Sequence, residues 1–236
     1  MLLILTGDVQ IGKTRWLQRA VSRLESAHVA CHGVLAPGVW KDDGRGSFEK
    51  LGIDNLLLPS HELVPFARRA DLAVADGLFD PQSQAGRAQL KWHISDKAIV
   101  QVNDHFAHLR TVMRDKTAQK KAGCGAQSER APRALCAHRA ASTATPSTCG
   151  VLFVDELGQL ELLRGEGLVE AMKALEGGPI GFYAHAIVIA RDKFGLPDRV
   201  EEAFAGTWGG SARIAPDDEA WRTWIEPLLN DENAPR

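Results

Sequence analysis

The residues whose types and spacing carry chemistry open the chain. Gly7-Asp8-Val9-Gln10-Ile11-Gly12-Lys13-Thr14 fits G-x-x-x-x-G-K-[ST], a loop whose backbone N–H groups wrap a phosphate. In that pattern the glycines permit the dihedrals that the wrap demands. Lys13 supplies a point charge to the β- and γ-oxygens, and Thr14 offers its hydroxyl to Mg²⁺. A chain of this length meets the pattern by accident about one time in a hundred. The whole run Gly7, Asp8, Val9, Gln10, Ile11, Gly12, Lys13, Thr14 and Arg15 is therefore assigned to nucleotide binding.

A second group lies far along the chain. Val151-Leu152-Phe153-Val154 is an apolar run ending in Asp155 and Glu156. An acid at the end of such a strand is the usual partner of a phosphate loop. Asp155 is expected to hold Mg²⁺ together with Thr14, and Glu156 to orient or deprotonate an attacking water. Glu161 is equally open to a structural or a catalytic role. Arg191 follows another apolar run, and could reach the γ-phosphate as a built-in arginine finger. The catalytic set is thus Lys13, Glu156 and Arg191.

The elements that must position these groups are legible as periodicities. Leu2 to Thr6 is a short apolar run of the buried parallel-strand type. Trp16, Leu17, Ala20, Val21 and Leu24 then recur at helical spacing, so the loop joins a strand to a helix. Val29 to Trp40 reads as a second strand interrupted at Pro37 and Gly38. Asp42-Asp43-Gly44 signals a turn into Phe48 to Leu58, and so a β-hairpin. Ser95 or Asp96 could cap a helix carrying Ile99, Val102, Phe106, Leu109 and Met113. Further helices are expected from about Glu166 to Glu176, after Pro197, and from near Asp217. Ile180 to Ala190 is read as a third central strand. Alternating strands and helices predict a single α/β domain over residues 1–236: a P-loop NTPase with a mostly parallel sheet, helices on both faces, and the hairpin.

Between Asp115 and Gly150 the chain turns rich in Ala, Ser, Thr, Lys and Arg and poor in large apolar residues. Such a composition cannot offset its ordering entropy, so a flexible insertion is expected at about 115–149. Cys124, Cys136, His138 and Cys149 within it lack the paired spacing of a structural zinc site.

The block Asp155-Glu156-Leu157-Gly158-Gln159-Leu160-Glu161-Leu162 resembles the D-E-[IL]-G-x-[ML]-E-L block of the small P-loop nucleoside-triphosphatases. Gly33-Val34-Leu35-Ala36-Pro37 is similar to that family's G-[FV]-x-[TA]-P strand, and Asp96 to Leu109 resembles its helix before the acidic strand. Arg15 departs from the family, whose members often carry a second Thr there. The resemblance implies slow hydrolysis of ATP, GTP and related nucleotides, with loose base preference and Mg²⁺ as cofactor.

A net charge of −2 argues against a dedicated nucleic-acid binder. No apolar run approaches the ~18 residues of a membrane span. No leader is visible, and four cysteines make no disulfide framework, so a cytoplasmic protein is expected. A nucleotide or small-molecule kinase would share the cradle but needs an acceptor pocket. A non-hydrolysing nucleotide switch would have little use for Glu156. The guanine-reading N-K-x-D motif is missing.

Overall fold

The computed structural model describes residues 1–42, 44, 46–124, 150–180 and 182–230, and of 113–124 the backbone alone. Nine strands form one sheet: β1 (Leu2–Leu5), β2 (Cys31–Leu35), β3 (Gly38–Asp42), β4 (Phe48–Leu58), β5 (Glu62–Arg69), β6 (Trp92–Ile94), β7 (Val151–Leu157), β8 (His185–Ala190) and β9 (Ser211–Ile214). The order across the sheet is β6-β5-β4-β2-β7-β8-β1-β9, with β3 paired to β4.

The sheet is mixed, not mostly parallel. β2, β7, β8, β1 and β9 run parallel, whereas β3, β4, β5 and β6 add to the β2 edge in antiparallel fashion. The reason lies in the connections. The turns between Asp42 and Phe48 and between Leu58 and Glu62 are far too short for a crossover, which needs a dozen residues or more. The expected hairpin is present and grows into an antiparallel wing.

Helices cover both faces. α1 (Lys13–Ser26) buries Trp16, Leu17, Ala20, Val21 and Leu24 on one face, the stripe read from the sequence. It shares that face with Leu3, Leu5, Phe153, Ile187, Ile189 and the C-terminal Trp221 and Ile225. The short helices α2 (Ala70–Ala75) and α3 (Gln84–Arg87) flank the antiparallel wing. The opposite face carries α4 (Asp96–Cys124), α5 (Val169–Glu176) and α6 (Leu196–Phe204) over Leu2, Ile4, Leu152, Val154 and Val188. Every residue of β1 is buried, and alternate side chains serve opposite cores. Each fully buried side chain of this kind contributes roughly 1.5–3 kcal/mol.

Other boundaries move. Ser95 is the α4 cap, its Oγ accepting from the Ala98 N–H at 3.4 Å and its carbonyl from the Ile99 N–H. α4 continues past Asp115 to Cys124, into the stretch expected as an insertion; residues 125–149 of that stretch lie outside the described residues, as do Cys136, His138, Cys149 and the Cys124 side chain. The helix expected from Glu166 begins at Val169, after a π-helical turn at Leu160–Arg164. β8 begins at His185, because Ile180 and Tyr183 close a small turn instead. The last helical segment starts where Asp217 caps the Ala220 N–H at 2.8 Å. Among the described residues no helix is long and apolar enough to cross a membrane.

Candidate active site

β1 delivers the chain into the Gly7–Thr14 loop, and α1 starts directly behind it. Gly7 (φ 121°) and Gly12 (φ 98°) both take left-handed dihedrals that other residues rarely adopt, which accounts for glycine at both ends of the loop. Gly12 is also the N-cap of α1, and no side chain caps that helix end. Its first turn carries Lys13, Thr14 and Arg15 and no acid. The N-terminal N–H groups and these cations together form an anion-favouring end. Lys13 Nζ folds back on the loop and donates to the carbonyls of Gly7 and Asp8, each at 2.7 Å. Val9 and Ile11 are exposed on the lip of the loop.

β7 brings the acids to the same end of the sheet. Its ladder with β8 is regular from Val151 to Val154 and resumes only at Leu157, opposite Ala190. Asp155 and Glu156 sit in the irregular stretch between, freed from strand alternation. Asp155 is 3% exposed. Its Oδ2 accepts from the Ala36 N–H at 3.0 Å, at the end of β2. Burial pushes its carboxyl up to about 6, and neighbouring Glu156 adds to the rise; the Ala36 N–H, the Thr14 hydroxyl and the charge of Lys50 oppose it.

Thr14 and Asp155, expected to share Mg²⁺, lie at the same end of the sheet, near enough for the Thr14 hydroxyl to influence the Asp155 carboxyl. A hydroxyl and a buried carboxylate are hard oxygen donors, the set that suits Mg²⁺ completed by phosphate oxygens and water. Among the described residues no cluster of three or more His, Cys, Asp or Glu side chains makes a self-sufficient metal cage.

Glu156 and Arg191 also meet, at the ends of adjacent parallel strands. The guanidinium grips the carboxylate with two groups: Nη2 donates to Oε2 at 3.0 Å, and Nε faces Oε1. Lys13 lies within the field of both acids and of Arg191, although burial is the stronger influence and lowers its pKa. Glu161 does not join this group. Its carboxylate accepts the N–H groups of Gly158 at 2.9 Å and Leu168 at 3.0 Å, so it serves the turn that follows β7.

Sequence reasoning missed Lys50 on β4. This half-buried lysine has its pKa lowered, first by burial, while the charges of Glu156 and Asp155 pull it up and Arg191 pushes it down. It therefore shares the site's electrostatics, though no motif singles it out. A separate hollow of about 360 Å³, lined by His32, Ser60, His105, His108 and Phe182, opens where β2 begins and β4 ends. That is the opposite end of these strands from Ala36 and Asp155, and none of the candidate catalytic residues lines it. Comparison with protein-family models, curated proteins and solved structures returned no match for this chain.

Proposed function

We propose that this protein is a Mg²⁺-dependent nucleoside triphosphatase of the P-loop type, which hydrolyses ATP, GTP and related triphosphates to the diphosphate and phosphate. The observation that carries the reading is the buried Asp155 carboxylate, held by the Ala36 N–H at the end of the sheet where the glycine-bounded loop opens the uncapped, cationic start of α1. One buried carboxylate near a helix end that favours an anion matches the needs of a metal-bound phosphate chain.

In this reading the loop N–H groups and the start of α1 hold the β-phosphate, and Lys13 turns from the Gly7 and Asp8 carbonyls to the β/γ oxygens. Thr14 and Asp155 would hold Mg²⁺, which would offset the negative charge of the triphosphate. Glu156 accepts a hydrogen bond from water and aligns it on the γ-phosphorus. As the water oxygen bonds to phosphorus, its proton passes to the Glu156 carboxylate and the bond to the β–γ bridging oxygen breaks. Before that, Arg191 must leave Glu156. The γ-phosphate oxygens are the competing anion, so triphosphate itself frees the base and recruits the arginine.

The test pairs Glu156→Gln with product analysis over a panel of nucleoside triphosphates. The variant keeps the shape of the side chain and loses its basicity, and a positioned general base typically contributes about 10²–10⁴ in rate. Turnover is expected to fall by that factor while Mg-triphosphate affinity stays within about twofold. A variant that hydrolyses at the wild-type rate refutes the role of Glu156. Phosphate transferred to an acceptor other than water makes the protein a kinase, and tight binding without turnover over hours makes it a switch.

A further inference from the structure

Of the cations around the site, two are engaged by protein groups. Lys13 is held by two loop carbonyls, and Arg191 by the Glu156 carboxylate. Lys50 is different. Among the described residues its ammonium forms no salt bridge, and it rests against two indole rings instead, 5.8 Å from the centroid of Trp40 and 5.4 Å from that of Trp92. Trp40 is its partner across the β3–β4 ladder, and Trp92 belongs to β6 at the sheet edge. An aromatic face holds a cation by its quadrupole alone, which orients an ammonium without neutralising it.

The backbone beneath this lysine is shaped to let it pass. A Cβ at Gly38 would stand 2.8 Å from Lys50 Cε and 2.6 Å from Trp40 Nε1, so the stem crosses the strand through the space that glycine leaves. Gly38 is two residues from Ala36, whose N–H holds Asp155. The lysine belongs to the antiparallel wing, on the β4 side of the sheet, and lies within the field of the β7 acids, while Lys13 belongs to the loop after β1. The β7 acids lie between them in the strand order. Partial burial makes an ammonium that feels the β7 acids without forming a salt bridge among the described residues a receptive partner for an anion.

We propose that Lys50 contacts the γ-phosphate of the bound triphosphate from the antiparallel wing, opposite Lys13, and that it gives the site its preference for triphosphate over diphosphate. The proposal rests on the triphosphatase reading. The terminal phosphate supplies the anion, and Trp40 and Trp92 hold the ammonium ready until that anion arrives. Diphosphate, seated on the loop, ends short of it.

The experiment measures Mg²⁺-dependent binding of a non-hydrolysable triphosphate and of the matching diphosphate to the full chain, for wild type, Lys50→Met, Lys50→Gln and Lys50→Arg. A hydrogen bond to a charged group corresponds to about a 10- to 100-fold change in affinity. Lys50→Met and Lys50→Gln are expected to lose triphosphate affinity by that factor and keep diphosphate affinity, and Lys50→Arg to restore much of the preference. Indole fluorescence should respond to triphosphate more than to diphosphate in wild type, and Trp40→Phe/Trp92→Phe should abolish the difference. A general structural defect would weaken both nucleotides together, and that result overturns the proposal. So does an unchanged triphosphate-to-diphosphate ratio in Lys50→Met and Lys50→Gln, with hydrolysis by wild type still intact. A wild-type chain that binds neither nucleotide overturns the triphosphatase reading and this proposal with it.

Discussion

Asp155→Asn is expected to stabilise the nucleotide-free protein while it destroys the proposed metal site. The fold holds the Asp155 carboxyl at about 6, against an ordinary value of 3.8. The native state therefore binds its proton more tightly than the unfolded chain does. Stability linked to this group is present below pH 3.8 and is lost as pH rises through 6. The interval from 3.8 to about 6, at 1.36 kcal/mol per pH unit, sets a penalty of about 3 kcal/mol above pH 6 in the absence of metal. Asparagine removes the charge and keeps an oxygen that can accept from the Ala36 N–H. At pH 8 with chelator, the variant should gain about 1–3 kcal/mol, since a neutral acceptor returns less hydrogen-bond energy than a carboxylate. For a chain of this size that corresponds to about 2–4 °C in Tm per kcal/mol. Urea unfolding from pH 4 to pH 8 checks it: the two proteins converge near pH 4 and diverge toward pH 7. Calorimetry with Mg-triphosphate should show binding to the wild type and little to the variant. A variant less stable than wild type at pH 8, or one with the wild-type pH profile, refutes the argument that desolvation of Asp155 opposes folding.

Two more perturbations separate architecture from binding. Gly33→Ala should cost more than about 3 kcal/mol, because φ is 101° and a Cβ would meet the Phe153 carbonyl oxygen at 2.1 Å; a urea midpoint near that of wild type would be incompatible with the β2–β7 contact. Lys13→Ala should leave the fold intact and remove the ligand-induced rise in Tm, which in wild type corresponds to about 2.7 kcal/mol at a hundredfold excess of Mg-triphosphate over Kd; a full rise in the variant would show that Lys13 contributes nothing to binding.

What the chain reveals in advance depends on whether the cause is local. The loop from Gly7 to Thr14 and the acids after Val154 are contiguous, and the backbone rules that shape them act within a few residues, so both were legible. The antiparallel wing was only half legible. Pro65 interrupts the pattern of β5, and a proline argues against a strand unless that strand can spare an N–H. The start of α5 has a distant cause. Asn103, on α4, accepts the Glu170 N–H at 3.0 Å and donates to the Gly167 carbonyl at 2.9 Å, while Glu161 takes the Leu168 N–H. These partners end the turn at Gly167, and no local cap at Glu166 announces it.

Lys50 shows the same limit at the site itself. In the sequence it is one charged residue in an extended run, indistinguishable from Glu49 beside it. Its meaning comes from the β3–β4 register, which sets it opposite Trp40, from the gap at Gly38, and from the sheet order, which lays the wing against β2 and so near Asp155. Glu49 points its charge the other way and pairs with Arg69. Alternation along one strand thus sends one neighbour to an exposed ion pair and the other to two indole rings. A motif search reads only what short loops compress into consecutive residues. In the proposed site the antiparallel wing supplies its cation through pairing alone, so the residue most worth mutating next to the cradle is one that no motif contains.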